Sequence, residues 1–408
     1  MRVNNLPAPV KRVLLGVVML LLAWLQTWAV QRYWTTTSPG ANDFYPRWKG
    51  AALFWQEGID PYSAEATAAI QTDIRGRLSR PDEDQLLFVY PFYVTFMLLP
   101  LAWLPLSYSW IQAIWLTMLV VVMITAVFLT LRLLNWQQPL WLLALTLLWA
   151  ALFYHNARTI ILGQFAAFVF LWLVAALLAL RRGRDGWAGF WLALTTIKPQ
   201  MTILVIPALL LWALGGRRWR FIVGFGLTMI TLFGLSFLFL PSWLTSFLNQ
   251  VFSYPDYTFT GSPLWVITGY YLPQLGQPVE RLLSVLAVGF MLWEWRRLWR
   301  ETAVSDQLLV TLGITIIVTN LILVRTATTN YIIMTIPLFL LLRELATRRR
   351  WGNVGVALFY GLSIAGMWVL FIATLQGNVE HPIIYLPWPF GLLLVLIWGQ
   401  YKKWWTAA

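Results

Sequence analysis

Apolar runs of about 18 residues or more recur along the whole 408-residue chain, with mostly short polar stretches between them. A run of that length crosses the hydrocarbon of a bilayer only as a helix, because no water is there to satisfy backbone N–H and C=O groups. At 60% hydrophobic and 11% charged residues, the composition excludes a soluble domain. The expectation is an all-α polytopic membrane protein, one integral membrane domain over residues 1–408.

The position of the charge decides its meaning. The chain carries a net charge of +13, from 29 lysines and arginines against 16 acids. Eighteen of those basic residues cluster at Arg2/Lys11/Arg12, Arg181/Arg182/Arg184, Arg217/Arg218/Arg220, Arg296/Arg297/Arg300, Arg343/Arg348/Arg349/Arg350 and Lys402/Lys403, and share their loops with five acids. The other 11 basic and 11 acidic residues cancel, so the whole excess falls in one set of loops. That is the positive-inside pattern, with both termini cytoplasmic and a multi-pass protein of the cell (plasma) membrane. The charge reports orientation among membrane lipids, and no nucleic-acid partner is expected.

The absence of cysteine excludes disulfides and thiolate metal sites, and two histidines, His155 and His381, are too few for a histidine-rich one. Neither metal nor another cofactor is expected. The first apolar run, Val13 to Val30 behind Lys11-Arg12, reads as a retained signal-anchor helix. Residues 31–86 then form a first outer loop and 241–280 a second. Four apolar segments follow the first loop: Phe88–Leu104, Ser109–Leu134, Leu140–Tyr154 and Ile160–Leu180. Arg181 must lie inside, so one of the four does not cross, and the short Leu140–Tyr154 is the expected one. The segment from Trp187 to Leu214 lies between two basic clusters and is interrupted by Lys198-Pro199. Proline breaks the helix ladder and a lone lysine in the membrane is costly, which predicts a broken or re-entrant hairpin with Lys198 near its tip. A single kinked helix is the competing reading.

In the first outer loop, Phe44, Trp48, Ala51 and Trp55 recur at helical spacing, with Arg47, Lys49 and Gln56 on other faces. This predicts a short amphipathic helix lying in the membrane interface. Gly58 can end it, and Asp60-Pro61 can cap the next, with proline at its first position. Ala64 to Leu78 reads as a second surface helix. Asp43 has two compatible readings, an N-cap and a carboxylate held at the membrane surface for chemistry. Most of the 27 tryptophans read as interfacial anchors, while Trp48 and Trp55, near a carboxylate, are the candidates for another role.

Asp43-Phe44-Tyr45, followed by Gly58-Ile59-Asp60-Pro61-Tyr62, resembles the first outer loop of glycosyltransferase family 87. Val89-Tyr90-Pro91-Phe92 leading into Leu99-Pro100-Leu101-Ala102-Trp103-Leu104-Pro105, and Gly163-Gln164 followed by Thr196-Ile197-Lys198-Pro199, fit the same pattern. The resemblance covers roughly the first half of the chain. It implies a GT-C-type bundle of about 10–12 transmembrane helices, each near 20 residues long, with an amphipathic first outer loop. It also implies a polyprenyl-phosphate sugar donor, typically of mannose, and a lipid or glycan acceptor.

Such a donor already has a good leaving group, so the demanding task is activation of the acceptor hydroxyl. A single inverting displacement needs one carboxylate as base, and Asp43 is the candidate, with Asp60 in reserve. Cations must stabilise the departing phosphate: Lys198, Arg325, Arg158 and Lys49 are candidates, with Lys198 and Arg325 expected to converge. Trp48, Asp60, Tyr62, Gln164, Asn330 and Tyr331 are candidates for sugar or acceptor contact. A transporter or flippase of lipid-linked sugars is the alternative. It would place charges within the spans and show repeat symmetry, whereas here charges crowd an outer loop.

Overall fold

The computed structural model describes residues 7–37, 43–257, 261–323, 326–376 and 380–405, and among these the regular elements are all helical. Helix α1 (Ala8–Val30) continues through a π turn, making Val13–Thr35 a lipid-exposed span. Three short helices follow: α2 (Tyr45–Glu57), α3 (Ala64–Arg75) and α4 (Val94–Ala102). The long α5 (Tyr108–Leu133) returns alongside α1, joined by Thr27 Oγ1 to Thr117 Oγ1 at 3.0 Å and Thr35 Oγ1 to the Ser109 carbonyl at 2.7 Å. Helices α6 (Leu140–Leu152) and α7 (Tyr154–Ile161) meet at a 51° bend and lead into α8 (Ala166–Arg181). Then come α9 (Asp185–Leu194), α10 (Val205–Gly215), α11 (Trp219–Phe239), α12 (Trp243–Tyr257) and the single turn α13 (Pro263–Trp265). The chain closes with α14 (Gly276–Trp295), α15 (Asp306–Ile322), α16 (Thr335–Arg348), α17 (Gly352–Thr374) and α18 (Pro387–Tyr401).

Six helices among the described residues are long and apolar enough to cross a membrane, or seven if the bent α6–α7 pair is one span. Other segments counted toward ten to twelve are shorter apolar helices, α8, α10 and α15. Neighbouring helices cover most of α8 and α15 and about half of α10. In α15, 14 of 17 residues are buried, so neighbouring helices rather than lipid set its length.

Helix ends sort onto two faces. On one, Arg181 bonds the Leu133 carbonyl, Arg343 bonds the Leu134 carbonyl at 3.0 Å and pairs with Asp306, and Arg218 pairs with Asp185 at 3.5 Å. Gln400 Nε2 donates to Glu294 at 3.0 Å, and Arg297 pairs with the same carboxylate at 2.9 Å. These contacts gather the ends of α5, α8, α14, α16 and α18 with the starts of α9, α11 and α15. The opposite face carries α2, α3, α4 and α12, tied together by Gln250, which accepts from the Val89 N–H at 2.9 Å and donates to the Tyr62 carbonyl at 3.3 Å. Residues 241–280 thus contain a helix, α12, docked on the segment between α2 and α4.

The Asp185–Arg218 pair brings the start of α9 beside the start of α11, so α9 and α10 form a hairpin that returns to the basic face. Its break consists of two 3₁₀ turns, Thr195–Ile197 and Pro199–Met201, with Lys198 between them. Backbones touch where α9 meets α11: a Cβ on Gly189 would stand 2.3 Å from the Phe221 carbonyl oxygen.

The segment that fails to cross is Phe88–Leu104, not Leu140–Tyr154. Pro91 supplies no N–H, Leu86 and Val89 adopt left-handed backbone (φ 51° and 37°), and helix begins only at Val94. The nine-residue α4 then packs on α2, whose Trp48 and Trp55 indole N–H groups donate to the Leu101 and Thr95 carbonyls, each at 3.2 Å.

Candidate active site

Asp43 does not cap α2. The N-cap position is Phe44, which is fully buried with its ring stacked on Trp115 at 4.5 Å. That anchor sets the helix start one residue beyond the aspartate and leaves the carboxylate free. Its Oδ2 accepts from Gln164 Nε2 at 2.7 Å. Gln164 lies in the tight turn between α7 and α8, made possible by Gly163 at φ 71° and held by its own N–H to the Thr159 carbonyl at 2.9 Å. The other end of the amide, Oε1, accepts from Lys198 Nζ. One side-chain amide therefore bridges a carboxylate and an ammonium, and hydrogen-bond polarity fixes its orientation.

Lys198 is 4% exposed, and the break that carries it is pinned by Tyr93, whose hydroxyl meets Thr196 Oγ1 at 2.9 Å and the Thr196 carbonyl at 3.0 Å. Arg47, one helical turn beyond Asp43, places its guanidinium carbon 4.9 Å from the centre of the Tyr90 ring. Tyr90 packs in turn on Phe165, the neighbour of Gln164, at 5.1 Å. The Asp43 carboxylate and the Arg47 guanidinium are near enough to act on Lys198 through space. Among the described residues, none of the three forms a direct ion pair.

A second polar seam runs between α7 and the 3₁₀ segment Thr328–Met334. Glu380 accepts from Tyr154, from Arg158 Nε at 3.2 Å and from Thr328 Oγ1 at 2.8 Å, while Thr159 Oγ1 donates to the Thr329 carbonyl at 3.1 Å. His155, Asn156 and Asn330 are buried here, and among the described residues both ring nitrogens of His155, both amide atoms of Asn156 and Oδ1 of Asn330 lack partners.

The sequence model of glycosyltransferase family 87 matches residues 88–324, more than half of the chain. This chain belongs to glycosyltransferase family 87. No curated protein and no solved structure matches it. The matched range contains Gln164 and Lys198, whereas Asp43 and Arg47 lie before it.

The other expected site residues of this family 87 protein are distributed as follows. Lys49 pairs with Asp73 at 3.0 Å, not with Asp43. Partial burial acts to raise the Asp73 carboxyl, but hydrogen bonds from Tyr45 (2.7 Å) and Lys49 outweigh it and hold the group below its ordinary value. Arg158 is committed to Glu380. Asp60 caps no helix: it accepts from the Tyr62 N–H at 2.8 Å in a turn, and Ser63 caps α3 instead, accepting from the Ala66 N–H at 3.1 Å. The reason is the extra turn around Pro61, which delays the helix to Ala64. Tyr62 is buried, its hydroxyl on the Tyr90 carbonyl at 2.6 Å. Trp48 spends its indole N–H on Leu101 and tilts against Tyr108 at 5.2 Å. Asn330 donates to Thr326 Oγ1 at 3.2 Å and Tyr331 to the Tyr385 carbonyl at 3.1 Å. Arg325 lies outside the described residues, and with it the expected convergence on Lys198.

The site thus joins Asp43, Gln164 and Lys198, and adds Arg47. The signal for Arg47 was present in its i, i+4 relation to Asp43, which puts both on one side of a helix start. Glu380 had no sequence signal, since its partners come from α7 and from Thr328.

Proposed function

We propose that this glycosyltransferase moves a hexose, with mannose the first candidate, from a polyprenyl-phosphate donor to a lipid or glycan acceptor on the extracytoplasmic side of the plasma membrane. The observation that carries the reading is the Asp43 carboxylate, uncommitted to capping and tethered by the Gln164 amide beside the buried Lys198. A carboxylate so held suits a general base. It takes the proton of the acceptor hydroxyl as that oxygen attacks the anomeric carbon, on the face opposite the departing phosphate, giving inversion. Lys198 supplies positive charge to the phosphate as the bond breaks. The positive-inside distribution supports the sidedness, because the Asp43 site lies opposite the basic face.

The test is an assay of the purified protein offering polyprenyl-phosphate mannose and polyprenyl-phosphate glucose separately, with a membrane-lipid extract as acceptor. A new glycosylated product that depends on one donor supports the reading. Movement of intact donor across proteoliposomes with no product would replace it with transport.

A further inference from the structure

Three ionisable side chains, Asp43, Lys198 and Arg47, share the candidate site, and only two are joined by Gln164. The third, Arg47, is held over Tyr90 with its Nε buried and, among the described residues, without a hydrogen-bond partner. A buried donor on a charged group is costly to leave unmade, and an anionic oxygen is the acceptor that suits a guanidinium best. We infer that Arg47 is the second cation of the donor-phosphate site, supplying the charge that matches the leaving group as it forms. The inference rests on the reading above and adds a residue to it.

Charge bookkeeping across the step supports the assignment. With Asp43 as carboxylate and both Lys198 and Arg47 protonated, the three side chains carry one net positive charge, and a polyprenyl-phosphate sugar is a phosphodiester with one negative charge. In the transfer, the acceptor O–H proton goes to the Asp43 carboxylate and the acceptor oxygen bonds the anomeric carbon. The bond from that carbon to the phosphate oxygen breaks, and its electron pair stays on the phosphate. The product is a phosphate monoester, whose charge approaches two negative because its second pKa is about 6. Asp43 is then neutral, and the site carries two positive charges. Protein and phosphate balance at both ends of the step. With Lys198 as the only cation, one negative charge would stay uncompensated throughout. Because Coulomb energy scales with the product of the charges, Arg47 acts more strongly on the monoester than on the diester. That is the differential binding that accelerates a reaction.

The experiment measures affinities of the purified full chain for two probes, farnesyl phosphate and its mannosyl diester, alongside turnover and thermal melting. Arg47→Gln is expected to weaken farnesyl phosphate binding by roughly tenfold to a hundredfold, and the diester by clearly less, with turnover reduced. Arg47→Lys keeps the charge but not the fork, and should retain monoester affinity to within about fivefold. An Arg47→Gln protein that melts normally and loses both ligands equally, or neither, overturns the inference. If that variant does not fold, Arg47→Lys decides: a folded protein that loses monoester affinity by more than about tenfold shows that charge is not what Arg47 supplies. A wild-type protein that neither binds nor uses any polyprenyl-phosphate sugar would overturn the proposed function itself.

Discussion

Replacing Gln164 with leucine separates a structural amide from one that positions a base. The substitution keeps approximate bulk and deletes both hydrogen bonds of the bridge, one to Asp43 at 2.7 Å and one to Lys198. A hydrogen bond to a charged group contributes about 1.5–3 kcal/mol, and more is lost where water cannot replace it. Lys198 is 4% exposed, so its bond counts in full, whereas Asp43 is half-buried and recovers much of its share from water. The expected cost in stability is therefore about 2–3 kcal/mol, read as a fall of a few degrees in the melting temperature of the detergent-solubilised protein. Activity should suffer more than stability, because misplacing a reacting group by about 1 Å can cost 10²-fold. Sugar transfer under saturating donor is expected to drop by about tenfold to a hundredfold. Gln164→Glu is the companion: it keeps a partner for Lys198 but sets a carboxylate against Asp43, and so should preserve more stability than leucine while still losing transfer. A Gln164→Leu enzyme that melts lower yet transfers within about twofold of wild type would refute the claim that this amide holds the base.

Gly189→Val should abolish folded protein, since its Cβ would meet backbone atoms of α11 at 2.3 and 2.4 Å, whereas Gly226→Ala, with open space around it, should express and melt normally; fluorescence size-exclusion chromatography compares the two. Glu380→Gln leaves Arg158 half-satisfied in the α7 seam and should cost about 1–3 kcal/mol of stability by thermal melting, toward the lower end of what a broken buried ion pair costs because Arg158 is partly exposed. In the loop after α3, the Arg77 hydrogen bond, helped by the Arg80 N–H, holds the Glu83 carboxyl at about 2, against an ordinary 4.5. A carboxyl lowered by folding stabilises above its ordinary value and loses that contribution as pH falls through the folded one. Hydrogen exchange across residues 75–85 should accordingly rise as pH falls from 4.5 toward 2, after correction for intrinsic rates, and Glu83→Gln should remove the pH dependence.

Fold class and the two faces were legible because they follow from one-dimensional quantities, apolar run length and the location of charge. The hairpin around Lys198 was legible for the same reason, with basic clusters at both ends and a proline in the middle. Parity was misassigned because run length ignores what a segment packs on. Phe88–Leu104 is as apolar as a span, yet Pro91 and the left-handed Leu86 and Val89 leave it only nine helical residues, stitched to α2 by indole hydrogen bonds. Within the site, Asp43, Gln164 and Lys198 stood out as polar residues in an apolar or interfacial setting, and they converge. Lys49 and Arg158 carried the same signal and are committed to Asp73 and Glu380. Charge type and depth are visible in a sequence, whereas the partner that consumes a charge lies far along the chain. Asp60 failed as a cap for a local reason, the turn at Pro61, and Phe44 displaced Asp43 from its cap by burying a ring.

The most direct test of the account is single-turnover sugar transfer by Asp43→Asn, measured together with donor affinity. Asparagine keeps the shape and can still accept the Gln164 hydrogen bond, and because Asp43 does not cap α2 the helix start is untouched. The substitution removes the proton acceptor together with its negative charge. The account predicts a rate lower by about 10²–10⁴, or roughly 3–5 kcal/mol of barrier, with donor affinity not weakened, because the site has lost a negative charge. An Asp43→Asn enzyme that retains more than about a tenth of the wild-type rate would contradict the assignment of Asp43 as the base.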